Sequence, residues 1–375
     1  MPNKVALDAR MMSSSFGIGR YIQQLVTHLE QISPEDMEFF LFMREKNWDE
    51  FKPVRENFHK IKTNIDWYGV SEQLRMPKVI ERVNPDLVHF PHWNVPFFYS
   101  GNFVVTIHDL IMFHFPRPEA TTHGKIKYWV KDKIHRFVVT EAIENSEHII
   151  TPSKFTKKDI LDNFDIENDK LTVTYEAPFF GESEPLDFSQ LQTKINIEQP
   201  YVFYVGSAYP HKNLNNLVKA WKRFKQADNN DFSLILAGKE DYFYDRLTNS
   251  NLFKSTPDVE HIGQVSDEQL KSLYKNAELF VFPSLYEGFG LPPLESLQLQ
   301  TPVLASETSS VPEVLGEAGI YTDTEDVEQF SQDIHAALEK KEMRQESLQR
   351  AEDQLDQYSW KKLAKKTLRV YKNNS

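Results

Sequence analysis

Leu279-Phe280-Val281-Phe282-Pro283-Ser284-Leu285-Tyr286-Glu287-Gly288-Phe289-Gly290-Leu291-Pro292-Pro293-Leu294-Glu295-Ser296 passes from strand to loop to helix within one short segment. Leu279–Phe282 reads as a strand. A loop with two glycines follows, and the helix is expected from Pro292, because proline lacks an N–H that the first helical turn would leave unbonded anyway. The glycines let backbone approach a ligand closely. The N–H groups of Phe289, Gly290 and Leu291 are expected near a helix N-terminus, a place suited to an anion or a hydroxyl. Glu287 closes the strand side of the loop, and Glu295 is expected in the first helical turn, where the helix dipole favours a carboxylate. Two carboxylates so placed can hold different hydroxyls of one polar ligand.

Working outward, the same alternation fills the second half of the chain. Tyr201–Gly206, Phe232–Gly238, Val259–Ile262, Pro302–Ser306 and Gly319–Tyr321 read as further strands, with helices between most of them. In the first half Lys4–Asp8, Glu38–Met43, Asp86–Phe90, Phe103–Ile107, His148–Thr151 and Leu171–Tyr175 read as strands, and Ser153 as the cap of a helix over 153–163. Strands separated by helices imply parallel sheets with right-handed crossovers. The fold class is therefore α/β: two doubly wound, Rossmann-like parallel-sheet domains facing a cleft, with ligands at the carboxyl ends of the strands. Residues 176–200, rich in Pro, Glu, Ser and Gly, lack sustained periodicity and read as the boundary. The division expected is 1–180, a linker at 181–200, a second domain at 201–355, and a closing helix at 356–375.

The 375 residues include 40% hydrophobic and 13% aromatic side chains, enough for two cores. With no cysteine, disulfides, thiol nucleophiles and Cys-ligated zinc are excluded. The net charge of −12 argues against a nucleic-acid binder, and it is uneven: −2 over residues 1–175 and −10 over 176–375. The acidic turn of the N-terminus precludes a signal-peptide core, and no apolar run is long enough to span a bilayer. The expectation is a cytoplasmic protein, with its less acidic half toward any anionic surface.

Other residues stand at strand ends. Gly206, Ser207, His211 and Lys212 follow one strand, and His108, beside Asp109, follows another. Gly17 and Gly19 lie in the loop after the first strand, but lack the third glycine of a dinucleotide fingerprint. No Asp-x-Asp pair occurs, and no metal is expected. Lys125, Lys127, Lys131, Lys133 and Arg136, interleaved with Tyr128, Trp129 and Phe137, could lie on anionic lipid or bind a lipid diphosphate; Asp132 and Glu119 dilute them into an ordinary solvated helix on the plainer reading. The aromatic loop Pro91–Tyr99 supplies Trp93 as a candidate acceptor wall, whereas Phe97 and Phe98 are expected to be buried.

Glu287-x7-Glu295 with Gly-Phe-Gly-Leu-Pro between them resembles the signature of glycosyltransferase family 4, retaining enzymes of the GT-B fold that use nucleotide-sugar donors. Tyr204–Asn213 resembles its pyrophosphate-binding segment, Thr106-Ile107-His108-Asp109-Leu110 its donor-sugar histidine loop, Phe16-Gly17-Ile18-Gly19-Arg20 its Gly-rich loop, and the helix with Trp360 its closing helix. The resemblance implies that Glu295 holds the donor ribose, while Glu287 and His108 lie beside the donor sugar. It further implies that the Gly288–Leu291 backbone binds sugar hydroxyls or phosphate, and that Lys212 neutralises the departing diphosphate. Ser207 stands where many members carry Arg, and His211 where a subgroup carries Arg, which makes His211 a titratable partner. The Pro91–Tyr99 loop resembles one in bacterial surface-polysaccharide mannosyltransferases and rhamnosyltransferases. The N-terminal and Gly206–Asn213 segments look most like the mannosyltransferase subgroup, which implies GDP-mannose as the preferred donor, with UDP-glucose and UDP-N-acetylglucosamine open; the family resemblance implies a glycan or lipid-linked acceptor and no cofactor. Metal-independent transfer with retention is what the family implies, and the inner face of the membrane is a place for it. A non-catalytic protein that binds nucleotide sugar or glycan on the same fold stays open as the second reading.

Overall fold

The computed structural model describes residues 3–13, 17–116, 125–180, 184–195, 197–228 and 230–375, with side chains given for all of these except 125–127. The chain forms two compact units, residues 1–176 with 359–375, and residues 177–358.

The first unit is built on a seven-stranded, wholly parallel sheet: β1 Asn3–Asp8, β2 Met37–Met43, β3 Phe58–Lys62, β4 Leu87–Phe90, β5 Phe103–Thr106, β6 His148–Thr151 and β7 Leu171–Val173. Their order is β3-β2-β1-β4-β5-β6-β7, so the direction of winding reverses between β1 and β4. β3 did not stand out in the sequence, since Phe58-His59-Lys60-Ile61-Lys62 is half polar; it pairs only with β2, at the sheet edge, where polar side chains are tolerated. Helix Ile18–Ile32 follows β1, and helix Trp360–Asn374 packs against it, burying Trp360, Leu363, Leu368 and Tyr371. Ser153 caps helix Lys154–Asn163 by accepting from the Thr156 N–H, as its position predicts.

The second unit has six parallel strands: β8 Tyr201–Val205, β9 Ser233–Ala237, β10 Val259–His261, β11 Leu279–Phe282, β12 Val303–Ser306 and β13 Gly319–Thr322. The order β10-β9-β8-β11-β12-β13 reverses between β8 and β11. Val202, Tyr204, Leu234 and Leu236 enter one buried cluster, and Tyr201, Phe203, Ile235 and Ala237 the other. Both faces are covered, which is why these strands read as continuous apolar runs. Helix Phe188–Ile195 lies within the stretch that lacked periodicity and buries Leu191 in the second cluster.

Trp221 of helix Leu214–Ala227 is fully buried, packs at a tilt on Phe224 with ring centroids 5.0 Å apart and donates its indole N–H to the Pro257 carbonyl at 3.2 Å. Trp221→Ala removes that volume and leaves the carbonyl without its partner. It is expected to destabilise the protein by about 3–5 kcal/mol, read as a lower denaturation midpoint at unchanged slope.

Candidate active site

The two loops that leave β8 and β11 meet at the switch point of the second sheet, where open α/β folds bind ligands. Gly206 follows β8 with φ 151°, and a Cβ there would lie 2.7 Å from the Tyr204 hydroxyl. Tyr244 donates to the Gly206 carbonyl at 2.9 Å, and Tyr204 to that of Ser207 at 2.9 Å. Burial pushes both phenols well above their usual range, so they stay protonated donors that pin the loop. The chain then makes one 3-10 turn, Pro210–Lys212, before helix Leu214–Ala227. His211 is buried, and its carbonyl accepts from the Leu285 N–H at 2.7 Å, tying this loop to the next.

Lys212 and Glu287 are the charges these loops bring together. Lys212 Nζ lies 2.5 Å from Glu287 Oε1, with the two side chains 17% and 9% exposed. The Phe282 ring lies below the ammonium, its centroid 5.7 Å away. Four hydroxyl residues at the end of β12 and just after it, none singled out in the sequence, hold the loop that carries Glu287. Ser306 and Thr308 donate to the Ser284 carbonyl at 2.6 and 3.1 Å. Ser309 accepts from the Glu287 N–H at 3.0 Å, and Ser310 donates to the carbonyls of Glu287 and Phe289, both at 2.9 Å. A Ser/Thr run directly after a strand was the available signal.

Gly288 and Phe289 are buried in this loop, and Gly290, with φ 93°, is the N-cap of helix Leu291–Gln298. The helix thus begins one residue before the expected Pro292. Glu295 is its fifth residue, so the expectation of a first-turn carboxylate complementing the dipole is corrected: no acidic residue occupies that turn. Glu295 is instead buried, and Tyr274 donates to its Oε2 at a long 3.4 Å. Burial first, and Glu295 second, push the Tyr274 phenol far up.

In the first unit, Gly17 is the N-cap of helix Ile18–Ile32 with φ 75°. A Cβ on Gly19 would lie 2.9 Å from the Met11 carbonyl, so this glycine lets the helix start abut the loop after β1. Phe16 of the same motif lies outside the described residues. His108, just past β5, is held by Glu176 at 3.2 Å and the Pro91 carbonyl at 3.0 Å, and Tyr21 meets its ring edge-on at 4.7 Å. Behind it, buried His89 joins the Tyr371 hydroxyl at 2.6 Å to Thr106 at 2.8 Å, and burial lowers its pKa to about 3.

At the β1–β4 switch stands a cluster unmarked in the sequence. Arg10, fully buried, makes a bidentate pair with Asp8 at 2.7 and 2.6 Å and reaches Glu72 at 2.5 Å. Asn94 also donates to Glu72, at 2.9 Å. Burial works against the guanidinium charge, but Asp8 and Glu72 more than compensate and hold its pKa above the ordinary arginine value.

Trp93 is half-buried, stacked on Tyr68 at 4.9 Å and edge-on to His135 at 4.4 Å. Phe97 and Phe98 are 49% and 61% exposed, so the expectation that they are buried is overturned; the loop leaves β4 on the surface and Phe97 packs on Phe137 of helix Lys125–Asn145 instead. On that helix Lys131 and Lys133 are exposed, as are Trp129, Val130 and Ile134. Arg136 is not part of a free basic face: it pairs with Asp132 at 2.8 Å and donates to the Phe113 carbonyl at 3.1 Å. The side chains of Lys125 and Lys127, together with Arg117, Glu119 and His123, lie outside the description. Among the described residues no helix is long and apolar enough to cross a membrane. The group there whose spacing suits a metal ion is Asp228, His335 and Glu339, with ligand atoms within 4.8 Å; its carboxylates are exposed, and His335 Nδ1 already lies 3.2 Å from Glu339 Oε2.

Residues 17–177 match the family described as Glycosyltransferase Family 4, and residues 187–354 match Glycosyl transferases group 1. The chain is 28% identical over 375 residues to the O-antigen chain mannosyltransferase B of Escherichia coli, covering 95% of this chain and 96% of that one. In fold it is similar to the sucrose-phosphate synthase of Thermosynechococcus elongatus, with a TM-score of 0.75 and 18% identity over 99% and 98% of the two chains. It is also similar to the Anabaena protein HepE solved in complex with UDP and glucose, with a TM-score of 0.70 and 15% identity over the whole of both chains.

The Lys212–Glu287 pair predicts a measurable coupling. In a double-mutant cycle of Lys212→Met and Glu287→Gln, each single change should leave a charge poorly paired and the double change should recover part of the loss. The expected coupling is about 0.5–3 kcal/mol by denaturant unfolding; additive losses would mean that the two charges do not sense each other.

Proposed function

We propose, for a chain that belongs to the family 4 glycosyltransferases, that it moves a hexose, mannose by preference, from a nucleoside-diphosphate sugar to a glycan or lipid-linked acceptor in surface-polysaccharide synthesis. The observation that carries this is the Lys212–Glu287 pair, joined across the two loops of the β8–β11 switch point. Lys212 faces the charge that develops on the departing diphosphate and stabilises it without reorganising, since its loop is already fixed by Tyr204, Tyr244 and Leu285. Glu287 turns to hydroxyls of the donor sugar, the Gly288–Leu291 backbone to the sugar or phosphate oxygens, and buried Glu295 to the ribose. His108 is assigned to the donor sugar on the family resemblance.

Transfer proceeds with retention and needs no cofactor or metal. The acceptor oxygen bonds to the anomeric carbon on the face that the diphosphate leaves, the C–O bond to phosphate breaks, and the acceptor proton goes to the departing phosphate oxygen. Mannose is preferred on the similarity to the Escherichia coli mannosyltransferase; the Anabaena structure with UDP and glucose makes a uridine donor the competitor to test.

A thermal-shift panel separates these donors, because a ligand that binds only the folded protein raises its melting temperature. GDP-mannose is expected to raise it with EDTA present, and UDP-sugars are not; the reverse would overturn the donor assignment. With the donor found, Glu287→Ala should cut turnover by on the order of 100-fold while GDP binding is kept or tightened, because Lys212 loses its competing counter-ion. Glu295→Ala should chiefly weaken GDP. NMR of the product then reads the anomeric configuration, and an inverted product would refute retention.

The acceptor side of the proposal is the helix Lys125–Asn145, whose exposed Trp129, Val130, Ile134 and Phe137 lie among Lys131 and Lys133. An apolar strip edged with lysines suits an anionic membrane surface that presents a lipid-linked acceptor. Replacing Lys125, Lys127, Lys131 and Lys133 by Gln should reduce sedimentation with phosphatidylglycerol vesicles several-fold at low salt, and unchanged sedimentation would mean an ordinary solvated helix.

A further inference from the structure

His108 sits between a carbonyl oxygen and a carboxyl oxygen, both acceptors while Glu176 is ionised. Its Nδ1 lies 3.2 Å from Glu176 Oε1 and its Nε2 lies 3.0 Å from the Pro91 carbonyl oxygen. A neutral imidazole carries one N–H and would leave a lone pair facing one of these oxygens; the imidazolium, with two N–H groups, satisfies both. Moving the proton to Glu176 would also complete the bonds, but a carboxyl group ordinarily holds a proton about two pH units less tightly than imidazole. The groups around the ring decide the same way. Asp109, next in the chain, adds a second negative charge, whereas His92, 6.2 Å away, is driven neutral by burial and by His108 itself. His89 behind it is neutral, and burial keeps the Tyr21 phenol protonated. Helix Lys154–Asn163 contributes a hydroxyl, Thr156 Oγ1 donating to the His108 carbonyl at 3.2 Å.

We propose that Glu176 is a positioning residue that holds His108 doubly protonated, so that His108 presents a fixed positive charge to the donor while both of its N–H groups remain committed to the protein. The proposal rests on the reading of His108 as a donor-sugar residue, and it sets the chemical role of that residue: a fixed charge at the donor, with no proton given or taken. Glu176 is also the last residue before the chain passes to the second unit, and Trp360, near the start of the returning segment, packs at 6.2 Å on the same Tyr21 that abuts His108. Both crossings of the chain are thus anchored within the first unit on the His108 cluster.

Burial alone would lower the His108 pKa; the Glu176 hydrogen bond and charge, the Pro91 carbonyl and Asp109 outweigh it, and the net direction is up. A raised histidine pKa stabilises the fold fully below the ordinary value of about 6.5, and this contribution is lost as pH rises through the folded-state value. Glu176→Gln removes the charge and offers an N–H instead, so His108 should become neutral and its pKa should fall. Histidine-selective 15N NMR of the full chain reads this without substrate. Both His108 nitrogens should be protonated at pH 7 in the wild type, and only one in Glu176→Gln, while Glu176→Asp keeps the doubly protonated form. A single protonated nitrogen in the wild type overturns the proposal by itself, even if the Gln variant fails to fold; an unshifted titration in the Gln variant overturns it as well. The alkaline limb of kcat/KM should move down with the His108 titration in Glu176→Gln. If the titration moves and that limb does not, the charge assignment stands and the placement of His108 at the donor falls.

Discussion

Both sheets are parallel and covered on both faces, and that single constraint governs where chemistry can occur in this protein. Tyr201 and Phe203 pack to one side of β8 while Val202 and Tyr204 pack to the other, so no face of the strand is left for a polar ligand. An ionised group within such a layer has no water to meet it and would carry an energetic cost of several kcal/mol unless paired. Polar function is displaced to the carboxyl ends of the strands, and two of the charged clusters among the described residues, Arg10 with Asp8 and Glu72 and Lys212 with Glu287, stand at the β1–β4 and β8–β11 reversals. A fully buried polar side chain within a strand, His89 of β4, is consistent with this: burial keeps it uncharged, and both its nitrogens are bonded, to Tyr371 and Thr106.

These two clusters differ in how far their charges are committed to the protein. Arg10 is sealed, with Asp8, Glu72 and the Ile65 carbonyl taking its donors. Any ligand would have to displace three well-matched partners from a site with no exposure, so this cluster fixes the loop after β1 and does little else. Lys212 and Glu287 are joined by one contact and remain partly open to solvent. Their loops are held by backbone carbonyls bonded to Ser306, Thr308, Ser310, Tyr204 and Tyr244, which leaves the charged side chains themselves unencumbered. Rigid backbone with exchangeable side-chain pairing is the arrangement a charged substrate requires.

What the sequence revealed follows from how local each signal is. The strand-loop-helix passage at 279–296 was readable because Gly288, Gly290, Pro292 and Pro293 punctuate it within a few residues, and the helix start differed by one position. Strand β3 was not, because His59, Lys60 and Lys62 make an edge strand look like a loop. Helix Phe188–Ile195 was hidden for a related reason: only its inward face is apolar, and it lies among Pro, Glu and Ser. Contacts far apart in the chain left no trace at all. Arg10 and Glu72 are separated by 62 residues, and His108 and Glu176 by 68, and nothing in either local pattern announces the partner. Phe97 and Phe98 fail in the opposite direction: their composition suggests a core, but the loop after β4 turns them to the surface.

The open pair also bears on how a donor would bind. Under the proposed function, Lys212 has a counter-ion before any substrate arrives, so the charge of the site is balanced and the loops need not repel. A nucleoside diphosphate competes with Glu287 for the ammonium. At an effective dielectric near 20 a charge pair at 4 Å is worth roughly 4 kcal/mol, so the exchange is favourable only if Glu287 gains partners as it loses Lys212. Sugar hydroxyls are such partners, because each can donate to a carboxylate. A bare nucleoside diphosphate satisfies Lys212 and leaves Glu287 half-paired, whereas the intact sugar nucleotide satisfies both. Selectivity for the intact donor over the product therefore arises from the pairing itself, and it favours release of the diphosphate once the sugar has been transferred.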